Sequence, residues 1–296
     1  KTQMELDGIN TKKMRYLTVD RDGESLVSSK YQGHSLISKE MSEIILKRFK
    51  KSNIETKKIL DLIEHHDFIM GFQANDSEKQ IKQKITTFFI EHQDLANKEF
   101  MDSLFRIIAA DHSSQNEEMY LKTNRNELED KVKEQVYSIL EGPHLLSDLN
   151  INGNELMELG FKGKEIQVEK FKLLEYVMNG NIENDYESLA MLAFKHVSKV
   201  HKDYLSSIDF EKLNELHNGM GDKMLDSLIY VDKYYFSSNE NLTERLIEKY
   251  EDNIDWTALT SMLNASKNPN SKDILNLEFI QKNEEKIDFA EISNLN

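Results

Sequence analysis

From Ser35 onward, apolar residues recur at spacings of three and four. Ile37, Met41, Ile44, Ile45 and Phe49 set out the first amphipathic helix. The next runs from Glu55 through Ile59, Leu62 and Ile63 to about His66, and a third is capped by Asp76 or Ser77 and turns Ile81 and Ile85 inward. Leu104, Ile107, Ile108 and Asp111 fall on the apolar side of a fourth, where a carboxylate is costly without a partner. A charged helix covers Asn126 to Leu140 on the stripe Leu128, Val132, Val136 and Leu140, and Gly142-Pro143 stops it. A short helix from Asn154 to Leu159 closes at Gly160, and a longer one from Glu165 to Met178 closes at Asn179-Gly180. Helices continue from Glu183 to about Tyr204, and from Asp209 helical runs alternate with Asn- and Ser-rich breaks. Residues 1–33 read as irregular, with turns at Asp7-Gly8 and Asp22-Gly23, and no strand ladder is evident. The pattern predicts an all-α fold.

Composition agrees with that pattern. The chain has 296 residues, with only 2 prolines and 11 glycines, which permits long helices and argues against a sandwich or barrel. No apolar stretch approaches the ~18 residues of a membrane span. Cysteine is absent, which excludes disulfides and thiolate metal sites and points to the cytoplasm. The chain opens on Lys1 with no signal-peptide pattern, so it is expected to be a piece of something longer or a processed product.

The net charge of −15 tells against a simple nucleic-acid reading. Polyanion binding needs local Lys and Arg clusters that release counterions. Lys47-Arg48-Phe49-Lys50-Lys51, followed by Lys57-Lys58, is such a cluster or else a solvated helix face. Nine histidines invite a search for metal or catalytic sites. His34 opens a helix, and His65 and His66 end the next, directly before Asp67. Histidine and aspartate on neighbouring helices can converge on a divalent cation, although each histidine also reads as an ordinary cap or surface residue. Metalloprotease, Walker, nucleophile-elbow and dinucleotide motifs are all missing.

Two stretches carry a family resemblance. Thr18-Val19-Asp20-Arg21-Asp22-Gly23 followed by Tyr31-Gln32-Gly33-His34, then Leu62-Ile63-Glu64-His65-His66-Asp67 and Ala109-Ala110-Asp111, resembles HD-domain sequence downstream of that family's His-Asp pair. The resemblance implies that His34, His66 and Asp111 are the later metal-site positions, with the upstream residues absent from this chain. The second stretch is Leu149-Asn150-Ile151-Asn152-Gly153-Asn154-Glu155-Leu156-Met157-Glu158-Leu159-Gly160-Phe161-Lys162-Gly163-Lys164-Glu165-Ile166. With Leu173-Leu174-Glu175-Tyr176-Val177, Gly180 and Asn184-Asp185, it is similar to bacterial tRNA CCA-adding nucleotidyltransferases and poly(A) polymerases. Lys162-Gly163-Lys164 stands where that family has Pro-Gly-Pro, and Gln167 where it usually has a second glycine.

Together the resemblances cover about residues 18 to 195. They imply a helical HD-like domain over 1–115, a helical tRNA-binding body over 116–197 and a helical tail over 198–296. The implied function is tRNA binding as the C-terminal part of a CCA-adding protein, with the nucleotidyl-transfer head absent. Mg²⁺ or another divalent metal, with ATP or CTP, would serve the full-length protein, and no cofactor is assigned to this chain alone. The implied partner is tRNA or another structured RNA. Physically, a helix N-terminus at Gly163 presents free N–H groups and a positive dipole end, with Lys162 and Lys164 beside it and Gly153 bracketing the preceding turn. The same glycines would serve a helix corner that only needs tight packing.

Beyond residue 200 an internal echo appears. Ile247 to Trp256 matches Ile280 to Phe289 at a spacing of 33 residues, and each copy continues to an apolar position, Leu259 or Ile292. Asp255 and Asp288 are expected to cap helices, while Trp256 and Phe289 bury against the neighbouring unit. Such repeats resemble those of viral and phage proteins. The alternatives are therefore an HD-type phosphohydrolase, and a non-enzymatic phage interaction protein whose acidic tail binds a protein partner.

Overall fold

The computed structural model describes residues 15–17, 30–32, 34–113, 125–200, 205–228, 233–264, 274 and 276–287. The fold is all-α. Its one departure among the described residues is a ribbon of β1 (Arg15–Leu17) and β2 (Lys30–Gln32), antiparallel with Tyr16 opposite Tyr31. That ribbon corrects the reading of residues 1–33 as strand-free, and strands of 3 residues are too short to show alternation. The stretch 18–23, Gly33, Tyr204, Asp288, Phe289 and Ile292 lie outside the described residues. Two compact units divide the chain, Lys1–His144 and Leu145–Asn296.

In the first unit, α1 (His34–Arg48) and α2 (Asn53–His65) form an antiparallel hairpin. Lys50 takes the left-handed conformation at φ 52° in the connection, and Ser52 and Glu55 close a capping box that starts α2. α3 (Glu78–Glu91) starts on a second such box, Ser77 with Gln80, which settles the cap between the two sequence candidates. Asp76 instead accepts from the Lys84 ammonium and the Gln73 N–H, which hold its carboxyl below the usual range. α2 packs on α4 (Lys98–Ser113), and α3 packs on α5 (Arg125–Glu141). The charged helix expected to open the second domain thus packs within the first unit. Ile81, Ile85, Phe89, Leu104, Val132 and Val136 form its core.

The face of α4 differs from expectation. Met101, Leu104, Phe105, Ile108 and His112 are buried, whereas Ile107 and Asp111 are exposed. The two stripes share Leu104 and Ile108, and the observed one adds Met101 and Phe105 to the apolar area removed from water. The buried acid of this region is Glu129, whose Oε1 lies 2.5 Å from His112 Nδ1.

In the second unit, Asn152 and Glu155 form the capping box of α6 (Gly153–Glu158). Gly160, at φ 103°, ends that helix, and α7 (Lys164–Met178) follows from Gly163. Asn184 accepts from the Asn150 N–H and donates to the Asp148 carbonyl, tying two loops together. Asp185 caps α8 (Tyr186–Val200) by accepting from the Ser188 N–H. Leu156, Leu159, Phe161, Leu173, Leu174 and Phe194 fill the space between these helices.

The tail repeats one pattern: α9 (Phe210–Leu216) with α10 (Met220–Leu228), then α12 (Glu244–Lys249) with α13 (Trp256–Asn264), then α14 (Leu277–Lys282). The short α11 (Lys233–Ser237) joins the first pair to the second. Asp209, Thr243 and Asn276 cap the leading helices in the same way. The echo of two copies therefore has an earlier third, hidden because its second helix opens on Met220-Gly221 rather than Asp-Trp. Asp255 caps α13 as expected, and half-buried Trp256 faces Phe279 of the following copy at 6.5 Å. Polar ties join the copies: Thr243 Oγ1 and Arg245 Nε reach Glu211 at 2.7 and 2.8 Å, and Lys282 and Lys286 pair with Glu248 and Glu251. Arg245 also forks onto Asp222, and its hydrogen bond holds that carboxyl well below the usual range.

Candidate functional site

In the first unit the hairpin geometry brings two of the three sequence-nominated metal positions together. His34 starts α1 and His66 ends α2, and their Nε2 atoms lie 2.7 Å apart with the rings edge to face. His66 Nδ1 lies 2.6 Å from the Ile63 carbonyl oxygen, so Nδ1 carries the hydrogen and donates. Nε2 of His66 is then the acceptor and His34 Nε2 the donor. The neighbouring residues repeat the contact, with Ser35 Oγ donating to Asp67 Oδ2 at 3.4 Å. His65 serves differently: burial first, then the nearby His92, lowers its pKa, and its neutral ring sits among Phe88, His92 and Phe100.

Asp111 does not join the pair. The first turn of α4 meets α2 through Lys58–Glu99 and His65–Phe100. Asp111 lies about three turns, ~16 Å, further along α4 and is exposed. An imidazole fixed by a backbone carbonyl is a good metal ligand. Among the described residues, however, no group of three His, Cys, Asp or Glu side chains could hold a metal ion. The described site therefore offers two nitrogens without a third ligand.

The second unit holds the Gly-Lys corner. Lys162, Gly163 and Lys164 are all exposed, as sequence reasoning requires of phosphate contacts. Gly163 has φ 54° and ψ −119°, gives α7 no side-chain cap, and has no atom within 4 Å of where a Cβ would stand. The start of α7 is thus open to an approaching anion. The Lys162 N–H donates to Glu165 Oε2 at 3.1 Å, so one donor of the corner is already engaged. Gly153 does something else: its Cβ position is 3.6 Å from Ile166 Cγ2, which makes it a packing contact of α6 on α7. Gln167 is exposed.

Sequence reasoning missed the continuation along α7. Lys164, Val168, Lys172 and Tyr176 follow one another at i, i+4, i+8 and i+12, and all four are exposed. Beside them, Phe161, Lys164, Val168, Lys172 and His196 line an open groove of about 250 Å³. Its floor carries Glu169, fully buried, with Oε1 2.5 Å from His196 Nδ1 and Oε2 3.8 Å from Lys172 Nζ. Tyr176 leans on the His196 ring at 6.1 Å. The stripe spans about 18 Å, and the regular four-residue spacing from Lys164 was the signal available to find it.

No protein-family model, curated protein or solved structure matches the chain. Among the described residues, no helix is long and apolar enough to cross a membrane.

Proposed function

We propose that the chain is the tRNA-binding C-terminal part of a CCA-adding nucleotidyltransferase-like protein, and that it grips the RNA backbone along α7. The observation that carries this reading is the exposed stripe that begins at a helix start without a side-chain cap and places Lys164 and Lys172 on the wall of one groove, with exposed Lys162 just before the helix. Ammonium groups and open N–H donors neutralise phosphates and release counterions without reading bases. Tyr176 at the far end offers a ring for an unpaired base to stack on. The overall charge of −15 makes binding depend on such local cationic positions, because the net charge of the chain opposes a polyanion.

Lys162→Glu combined with Lys164→Glu is expected to weaken tRNA binding about tenfold or more in a filter or mobility assay. The same change of charge at exposed Lys79 and Lys98 of the first unit is expected to leave binding within about twofold. Equal losses in the two double variants would show that net charge alone governs the affinity, and would remove the assigned role of the corner.

A further inference from the structure

A second surface feature lies in the tail, away from α7. Tyr234 and Tyr235 on α11, with Ser206, Ser238 and Glu240, line an open cavity of about 310 Å³. That is near the lower limit of ligand cavities, about 300 Å³, and suits one side chain better than a large molecule. The two phenol rings meet edge to face at 5.5 Å, and Tyr234 is 56% exposed.

The walls are fixed by hydrogen bonds. The Glu240 N–H donates to the Ser206 carbonyl at 2.9 Å, and buried Asn239 Nδ2 donates to the Leu205 and Ile208 carbonyls at 2.6 and 2.9 Å. Ser237 Oγ donates to the Lys233 carbonyl and accepts from the Asp255 N–H, both at 2.7 Å. The cavity is therefore preformed rather than shaped by a ligand.

Its chemistry differs from that of the tail's ion-paired positions. There four acids, Glu211, Asp222, Glu248 and Glu251, are paired with Arg245, Lys249, Lys282 or Lys286. Lys249 and Lys286 also lie over the rings of Tyr250 and Trp256, at 5.0 and 5.2 Å. At the cavity, the Glu240 carboxylate makes no ion pair or hydrogen bond with a described side chain, and no described cation covers either tyrosine ring.

We infer that this cavity receives a cationic side chain, a guanidinium or ammonium from a basic segment of a partner protein. Two electron-rich rings attract the cation through their faces, Glu240 supplies a charge-assisted hydrogen bond, and the serines offer further oxygens. The net charge of −15 steers a basic partner toward the chain. None of the cavity residues belongs to the α7 stripe, so this inference stands or falls independently of RNA binding.

The test is fluorescence anisotropy of a labelled arginine- and lysine-rich peptide titrated with the full chain. Tyr234→Ala, which leaves the charge unchanged, and Glu240→Gln are each expected to weaken binding about fivefold. Glu284→Gln, at an exposed position away from the cavity, is expected to leave it within about 1.5-fold. Wild-type affinity in Tyr234→Ala would show that the peptide follows net charge and would overturn the inference, as would failure of the wild type to bind. Free arginine binding as tightly as the peptide would overturn the assignment to a protein partner.

Discussion

Gly221→Ala is expected to destabilise the second unit by about 3 kcal/mol, at the upper end of overpacking costs. A Cβ at this position would stand 2.0 Å from the Phe210 carbonyl oxygen and 2.9 Å from its carbonyl carbon, with Asn214 Oδ1 at 3.1 Å. Two of those three atoms are backbone, so no side-chain rotation relieves the clash. α9 and α10 would have to separate, opening the contacts of buried Phe210, Leu213, Met220 and Met224. The single tryptophan, Trp256, lies in the same tail against Phe279, so its fluorescence reports the loss directly. A fall in melting temperature of roughly 6–12 °C follows from the usual entropy of unfolding for a domain of this size. Gly219→Ala is the control: φ is 81° there but no atom lies within 4 Å of the Cβ position, so backbone strain alone should cost about 1 kcal/mol. Equal costs at the two glycines would contradict the close crossing.

The second large effect is expected at Glu129. Glu129→Ala should destabilise the first unit by about 3–5 kcal/mol, the range for breaking a buried polar pair by removing one partner. Glu129 and His112 are 5% and 7% exposed, and their contact joins the last turn of α4 to the start of α5. Loss of the carboxylate takes a buried acceptor from His112 and leaves a void beside Val132, which is itself fully buried. Replacing both residues by leucine removes donor and acceptor together, and should recover at least half of the loss. Chemical denaturation followed by far-ultraviolet circular dichroism measures these variants and the two single leucine variants. Additive effects of His112→Leu and Glu129→Leu would show that the pair is not coupled.

Much of the helical order was legible because the apolar period of three to four residues runs through most of the chain. Glycine and Asx signals also reported their elements well. Gly160 and Gly180 end helices at φ 103° and 70°, and Ser77 and Asp255 cap the starts of two others. The failures have physical causes. On α4 two stripes were compatible with the pattern, and only packing against α5 selects the one containing His112. Asp111 was nominated by its neighbours in the sequence, yet helix length carries it away from His34 and His66. Those two histidines were legible because a tight hairpin must bring the start of one helix to the end of the next. The tail's first copy escaped notice because a glycine, needed for close helix approach, replaces its aspartate and aromatic signal.

The candidate RNA surface was legible only at one end. Lys162, Gly163 and Lys164 announce themselves as a glycine between two lysines at a helix start. Lys172 and His196 share the groove, and Tyr176 meets the His196 ring, only once α7 and α8 are packed together. Gly153 was taken for part of the site by its place in the motif, whereas its missing side chain makes room for Ile166. Asn184 and Asp185 likewise tie a loop and cap a helix rather than face the groove.

Hydrogen exchange of the full chain with and without tRNA tests the central claim most directly, because it reads where the RNA sits. The account predicts slower exchange at the open first turn of α7, residues 163–168, with the tail amides of residues 239–264 unchanged. Unaltered exchange at α7 in a sample whose tRNA is demonstrably bound would contradict it.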